Sequence, residues 1–203
     1  MGAQCDVIDY DALQIVIQPF SIPKKPNYWV FSSQNAVRSF LANPTASAHQ
    51  NPILCVGEKT KLLLEENGQK VIKTAHNMLE LVNFIQKTMK NDHFLHICGN
   101  RKLADFAAGM QKTGISYTEV TAYNTHLVSR VQTPEPQGLL FYSPSGVESY
   151  LQTNSIGASW CFCIGETTAT AVRPLTEHLT VSPKPDADLL VAAAATHFRR
   201  WVP

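Results

Sequence analysis

The sequence predicts an α/β fold: two small domains with parallel sheets flanked by helices, in a flavodoxin- or Rossmann-like arrangement. Three observations indicate this fold. Short apolar and β-branched runs alternate with stretches of helical periodicity, which is βαβ patterning. Two motifs recur in the same order about 110 residues apart. The length of 203 residues suits one large domain or two of roughly 100 residues each, and the recurrence of the motifs favours two.

The recurring motifs indicate an internal duplication. Residues 30–41 read VFSSQNAVRSFL, and residues 140–151 read LFYSPSGVESYL. A second pair follows each of them, with CVGEKT at residues 55–60 and CIGETT at residues 163–168. Because order and spacing are both kept, the chain is predicted to contain two related halves.

The first half is predicted to contain five strands separated by helices. The strands are Tyr28–Phe31, Ile53–Val56, Lys70–Lys73, Phe94–Cys98 and Tyr117–Ala122. One helix, Lys59–Glu66, is expected to stop at the Asn67-Gly68 pair. A second helix is predicted to have its apolar face at Leu79, Val82, Ile85 and Met89.

The second half repeats this pattern on a smaller scale. Its predicted strands are Gly138–Tyr142, Trp160–Ile164 and Leu179–Ser182, and its last helix is Asp188–Phe198. The crossover connections in both halves are expected to be right-handed.

Composition excludes several classes of function. A net charge of +1 gives no electrostatic footprint for duplex nucleic acid, and no apolar run approaches the length of a membrane span. The N-terminus shows neither a signal peptide nor a myristoylation signal, so we expect a cytoplasmic protein. The cysteines, at positions 5, 55, 98, 161 and 163, lack the spacing of a disulfide framework. Cys161 and Cys163 could form half a metal site, but small buried core residues are the preferred interpretation, and no metal is predicted.

The repeated motifs also predict turns that contact a ligand. Each is a strand that runs into small polar residues and then a helix, so free N–H groups at the helix N-terminus could hold an anion. The candidate residues in these turns are Ser32, Ser33, Asn35, Gly57, Lys59, Thr60, Ser143, Ser145, Gly165, Thr167 and Thr168. Ordinary helix capping is the competing interpretation. Dinucleotide, P-loop and GxSxG motifs are absent from the sequence.

Six motifs together resemble the uroporphyrinogen-III synthase family. They are FSSQNAV at residues 31–37, CVGEKT at 55–60, HICGNR at 96–101, EVTAYNT at 119–125, SPSGV at 143–147 and CIGETTATAV at 163–172. The motifs occur in this order across almost the whole chain. The internal duplication is also a property of this family.

The resemblance implies two α/β domains joined by a two-stranded linker. Residues 1–20 with 127–203 would form a discontinuous domain, residues 24–122 would form the other, and the linker segments would lie at about 18–26 and 120–128. Members of the family normally open with a strand, a Thr-Arg turn and a helix before a segment comparable to Cys5–Ile17. This chain is expected to lack that first strand–helix unit.

The implied reaction is the cyclisation of hydroxymethylbilane to uroporphyrinogen III, with loss of water and inversion of the last pyrrole ring. It would need no metal or organic cofactor. Tyr123, in the family's Tyr-x-Thr motif, is the implied proton donor, and Asn100, Arg101, Lys59 or Lys102 would help to bind the eight carboxylates. A monomer is expected, which could receive its substrate from the preceding deaminase. The competing hypothesis is a non-catalytic sensor of an anionic small molecule.

Overall fold

The structure, a computed structural model, describes residues 6–22, 25–47 and 50–199 and divides into two compact units. The discontinuous unit comprises Met1–Gln14 and His126–Pro203, and the continuous unit comprises Ile15–Thr125. None of the helices among the described residues is both long enough and apolar enough to span a membrane.

The continuous unit is an open sheet covered by helices on both faces. The elements that lie wholly or mostly in it are β1 (Leu13–Ile17), β2 (Tyr28–Phe31), α1 (Gln34–Leu41), α2 (Pro44–Ser47), β3 (Ile53–Val56), α3 (Glu58–Glu66), β4 (Val71–Ala75), α4 (Met78–Thr88), β5 (Phe94–Gly99), α5 (Asp105–Thr113) and β6 (Tyr117–Leu127). The strand order is β1-β6-β5-β2-β3-β4, and the pairs from β6 through β4 are parallel. This arrangement places the ends of β2 and β5 side by side.

Each central strand is buried on both faces, which is why its sequence is a continuous apolar run. Trp29 and Phe31 of β2 pack into one core layer with Phe40 of α1. Val30 points the other way and packs with Ile85 of α4. The two layers hold the sheet rigid beneath the turns that follow its strands.

One strand, β1, was not predicted from the sequence. It is mostly half-exposed or exposed and therefore lacks the apolar run that marks the other strands. Its place is set by hydrogen bonds of the neighbouring backbone: Gln18 N–H donates to Ala122 C=O at 2.9 Å, and Val128 N–H donates to Ala12 C=O at 2.9 Å. Residue numbers rise along β1 as they fall along β6, so this pair is antiparallel, in contrast to the predicted all-parallel sheet.

The helix predictions hold with one correction. Helix α3 ends at Glu66, and Gly68 adopts a positive φ of 72°, as the Asn-Gly stop signal predicts. In α4 the buried residues are Leu81, Val82 and Ile85, whereas Leu79 is 64% exposed. Placing Leu79 on the apolar face was wrong, because at 100° per residue it lies roughly 110° from the centre of the buried arc.

The discontinuous unit repeats the βα pattern with β7 (Gly138–Phe141), α6 (Pro144–Leu151), β8 (Trp160–Cys163), α7 (Glu166–Val172), β9 (Leu179–Val181) and α8 (Ala187–Arg199). Its described strands form a parallel sheet in the order β7-β8-β9. Cys161 and Cys163 are fully buried free thiols in its core, which confirms the core interpretation. Cys5 lies outside the described residues.

Candidate functional site

The turn after β2 is organised by a serine cap. Ser33 is the N-cap of α1, with an extended backbone, and its Oγ accepts a hydrogen bond from Ala36 N–H at 3.1 Å. Asn35, another candidate residue of this turn, lies inside the helix, and its Oδ1 accepts from Arg38 Nη1 at 3.1 Å. The choice of Ser33 follows from the N-cap geometry, which places its hydroxyl near the free N–H groups of the first turn.

Tyr123 lies directly against this serine. Its hydroxyl is 3.0 Å from Ser33 Oγ, although 90 residues separate the two in sequence. Gly99, the partner of Tyr123 across β5 and β6, makes room for the ring, because a Cβ at position 99 would lie 2.5 Å from Tyr123 Cε2 and Cζ. A β-bulge between Cys98 and Gly99 brings these two residues into register.

Asn100 ties the same strand ends together. Its backbone N–H donates to Tyr123 C=O at 3.2 Å, and its Oδ1 accepts from Thr125 N–H at 2.8 Å. Three motifs that are far apart in sequence therefore meet at one place. We call Ser33, Gly99, Asn100, Tyr123 and Thr125 the Tyr123 cluster.

A second polar chain runs through the sheet beside this cluster. Ser32 Oγ lies 3.2 Å from His96 Nε2, and His96 Nδ1 lies 3.0 Å from Glu119 Oε1. The other carboxylate oxygen of Glu119 contacts Lys102 Nζ at 2.7 Å. We call Ser32, His96 and Glu119 the His96 chain.

The charges along this chain are determined by their contacts. The hydrogen bond with His96, followed by the ion pair with Lys102, lowers the pKa of Glu119. An ionised carboxylate only accepts hydrogen bonds, so His96 Nδ1 carries the hydrogen that faces Glu119. In the neutral imidazole, Nε2 is then an acceptor for the Ser32 hydroxyl. His96 itself is 1% exposed, and the centroid of its ring lies 4.7 Å from that of the Phe106 ring.

The sequence pattern does not mark His96 or Glu119 as site residues, although both lie within motifs shared with the family. The available signal was a histidine in the middle of the fully buried strand FLHICG. A buried imidazole requires hydrogen-bond partners, and nothing in the local sequence says that Ser32 and Glu119 provide them. The pairing arises from strand register, since Val30 of β2 lies beside His96 and Glu119 of β6 lies on its other side.

These residues also form a candidate metal-ligand set. The ligand atoms of His96, Cys98 and Glu119 lie within 4.8 Å of one another, and they are of types that bind zinc or other transition metals. However, burial raises the pKa of Cys98 to about 11, and the Lys102 ammonium already pairs with Glu119. A metal would have to displace both a proton and this ammonium group. The sequence analysis missed the set because Glu119 comes from a neighbouring strand.

The turn after β3 offers fewer free groups than its sequence indicates. Gly57 is the N-cap of α3 at φ 85°, and its N–H donates to Ala75 C=O at 2.9 Å. Thr60 is only 5% exposed, and its N–H donates to Gly57 C=O at 3.2 Å. Lys59 and Arg101 are exposed. The hydroxyl of Thr60 is therefore a weaker candidate for ligand contact than those of Ser32 and Ser33.

The discontinuous unit has its own pair of predicted turns. Ser143 caps α6, and its Oγ accepts from Gly146 N–H at 3.1 Å, the same geometry as Ser33 and Ala36 in the first half. Ser145 is half-buried in the first turn of that helix. After β8, Gly165 is the N-cap of α7, and Thr167 is exposed. Thr168 is 3% exposed, so its side chain, like that of Thr60, is withdrawn from solvent.

Comparison with known proteins identifies the relatives of this chain. A family model described as uroporphyrinogen-III synthase HemD matches residues 6–192. The chain is similar to the solved uroporphyrinogen-III synthetase of Helicobacter pylori, at 18% identity and a TM-score of 0.75 over 92% of this chain and 91% of that one. It is also similar to a mutant uroporphyrinogen III synthase of Thermus thermophilus, at 12% identity and a TM-score of 0.61 over 92% and 87% of the two chains. No curated protein matches significantly. These structures confirm the predicted α/β fold.

Proposed function

The chain belongs to the uroporphyrinogen-III synthase family, enzymes of heme biosynthesis that cyclise hydroxymethylbilane, and from that premise we propose that the Tyr123 cluster promotes the loss of water. The observation that supports this role is the contact between the Tyr123 hydroxyl and Ser33 Oγ at 3.0 Å, beside the N-terminus of α1. Tyr123 is the proposed catalytic residue.

Hydroxide is a poor leaving group, so the substrate's hydroxymethyl oxygen must receive a proton as its bond to carbon breaks. Ser33 Oγ already accepts from Ala36 N–H, and its own hydrogen can be donated to the Tyr123 oxygen. The phenol hydrogen is then directed toward the substrate. As that proton leaves, negative charge grows on the phenol oxygen. The Ser33 hydroxyl and the positive end of the helix dipole both stabilise this charge.

The predicted turn residues would bind the substrate's carboxylates. Helix N-termini supply N–H donors, and exposed Lys59 and Arg101 supply positive charge. The matching caps at Ser33 and Ser143 support a shared role for the two halves. Holding the ends of a flexible substrate close is itself a source of catalysis, on the order of 7–11 kcal/mol in the best intramolecular reactions.

The decisive experiment supplies hydroxymethylbilane from a deaminase reaction and separates the uroporphyrinogen isomers. We expect the type III isomer above the spontaneous type I background. Type I alone would contradict the proposed activity of this chain.

The role of Tyr123 is tested by Tyr123→Phe, which removes only the hydroxyl. We expect kcat to fall about 10²-fold, at the low end of general acid catalysis, with little change in KM. The matched control is Tyr117→Phe on the same strand, whose hydroxyl accepts from Gln111 Nε2 at 2.9 Å instead. Equal effects of the two substitutions would remove Tyr123 from the acid role.

Two further proposals concern the compartment of the protein and its association with other proteins. We propose a cytoplasmic monomer that receives its unstable substrate from the preceding deaminase. Membership of a family of biosynthetic enzymes supports this proposal. Light scattering of the purified chain, alone and mixed with the deaminase, measures both the monomer and the complex.

A further inference from the structure

We propose that the His96 chain is a second proton-transfer device, in which Ser32 removes the ring hydrogen that must leave when the macrocycle closes. This inference rests on the proposed function, but it assigns the opposite chemical role to a different set of side chains. Ser32 would be the catalytic residue that touches the substrate. His96 and Glu119 would act through it.

The reaction requires such a base because of its stoichiometry. The oxygen of the departing water comes from the hydroxymethyl group at one end of the linear tetrapyrrole. Closure with inversion breaks the bond that joins the pyrrole ring at the other end to the chain and forms two new C–C bonds, one at each α-carbon of that ring. The hydrogen on the free α-carbon must therefore leave as a proton. The C–H electron pair returns to the ring and restores its aromaticity. One acid and one base are therefore needed, and Tyr123 is the proposed acid.

The geometry of the His96 chain suits the base. In the neutral imidazole, Nδ1–H donates to Glu119 at 3.0 Å and Nε2 accepts from the Ser32 hydroxyl at 3.2 Å. Ser32 Oγ can take up the substrate proton while passing its own to Nε2, which is the logic of a serine–histidine–carboxylate arrangement. The resulting imidazolium faces the ionised Glu119. After the step, His96 releases its proton to solvent and the Tyr123 phenolate regains one.

Burial strengthens the electrostatic interaction between His96 and Glu119. His96 is 1% exposed and the Glu119 side chain is 15% exposed, so their interaction is poorly screened by water. Ser32 is the half-buried end of the chain and lies in the same turn as Ser33. The two proposed proton-transfer groups, Ser32 and the Ser33–Tyr123 pair, therefore start from adjacent residues.

The strength of the base depends on the groups that face His96. Glu119 faces it from β6, Ser32 from the turn after β2 and Phe106 from α5, while Lys102 and Cys98 lie near Glu119. Replacing Glu119 by Gln removes the charge that stabilises the imidazolium formed in the step, so Glu119→Gln should lower kcat although Ser32 and His96 are both still present.

The test combines kinetics with an observation that needs no activity. We expect His96→Gln and Ser32→Ala each to lower kcat about 10²-fold with little change in KM, and deuterium at the free α-carbon of the substrate to slow both variants more than the wild-type chain. The matched control is His93→Gln, which alters another buried histidine of this unit, bonded to Ser116 and Thr118 hydroxyls at 2.7 and 3.1 Å. It should retain the wild-type kcat and isotope effect. Circular dichroism establishes that the variants are folded.

The independent observation is the imidazole nitrogen NMR spectrum of His96 in the wild-type chain and in Ser32→Ala. A hydrogen on Nδ1, together with an Nε2 signal that shifts when the Ser32 hydroxyl is removed, supports the inference. A hydrogen on Nε2, or a His96→Gln enzyme that keeps its rate and shows no larger isotope effect, overturns it. Failure of the wild-type chain to make any type III isomer would instead refute the proposed function, which separates the two outcomes.

Discussion

Gly99→Ala tests whether the close approach of Tyr123 to β5 matters for the reaction. The added Cβ would lie 2.5 Å from Tyr123 Cε2 and Cζ and 2.9 Å from the hydroxyl oxygen. Carbon atoms in contact prefer a separation of about 3.5–4.0 Å, so the ring must move by roughly 1 Å. Such a shift would lengthen the 3.0 Å contact to Ser33 Oγ beyond hydrogen-bonding distance.

The clash should change the folding free energy and the catalytic rate to different extents. Overpacking of this kind typically costs about 1–3 kcal/mol of folding free energy, which leaves a folded protein. Misplacement of a catalytic group by about 1 Å can lower the rate about 10²-fold. We therefore expect a modest loss of stability with a large loss of kcat. Urea unfolding and the rate of type III formation measure the two effects.

Gly109→Ala in helix α5 is the matched control. Its Cβ would lie 2.3 Å from Val82 Cγ1, a similar clash within the same unit that involves none of the Tyr123 cluster. It should lower stability without the disproportionate loss of kcat. If Gly99→Ala retains wild-type turnover, or if both variants lose turnover equally, the positioning argument for Tyr123 is wrong.

Three further predictions use individual side chains. Ser33→Ala removes both a helix cap and the partner of the Tyr123 hydroxyl, whereas Ser143→Ala removes a cap alone. Each substitution should lower the free energy of unfolding, measured in urea, by about 1 kcal/mol. Only Ser33→Ala should also lower kcat. Contact with His96 and Lys102 lowers the pKa of Glu119, so its stabilisation is present above the unfolded carboxyl pKa of about 4.3 and is lost as the pH falls through the folded value. Glu119→Gln should therefore flatten the acid side of a plot of urea midpoint against pH. Burial raises the pKa of Cys161 to about 12 and that of Cys163 to about 11, so iodoacetamide at neutral pH should label them only after unfolding, as mass spectrometry would show.

Several elements could be predicted because their signals are local. The strands Tyr28–Phe31 and Ile53–Val56 are short apolar runs, and the structure has them with the predicted bounds. Both are central strands with two buried faces, which is why each is a continuous apolar run. By contrast, the half-exposed β1 has no such run, and its pairing with β6 depends on backbone hydrogen bonds from a distant segment.

The residues of the candidate site also differ in whether the local sequence could identify them. Ser33 could be identified because a serine between a strand and a helix is a recognisable N-cap, and the duplicated Ser143 repeats it. The partner of Ser33 could not be derived from the local pattern, since Tyr123 is 90 residues away. Thr60 shows what the local pattern leaves out: its residue type and position predict a ligand contact, and the structure adds that its side chain is only 5% exposed.

By itself, the sequence determined the alternation of strands and helices, the internal duplication and the resemblance to the uroporphyrinogen-III synthase family. These properties are encoded in residues that lie close together or recur in order. Only the tertiary structure decided that His96 lies between Ser32 and Glu119, and that Gly99 leaves room for the Tyr123 ring. The physical reason is strand register. Neighbours in a parallel sheet are separated by whole crossover connections, so the register of β5 against β2 and β6, with its shift between Cys98 and Gly99, determines which side chains meet.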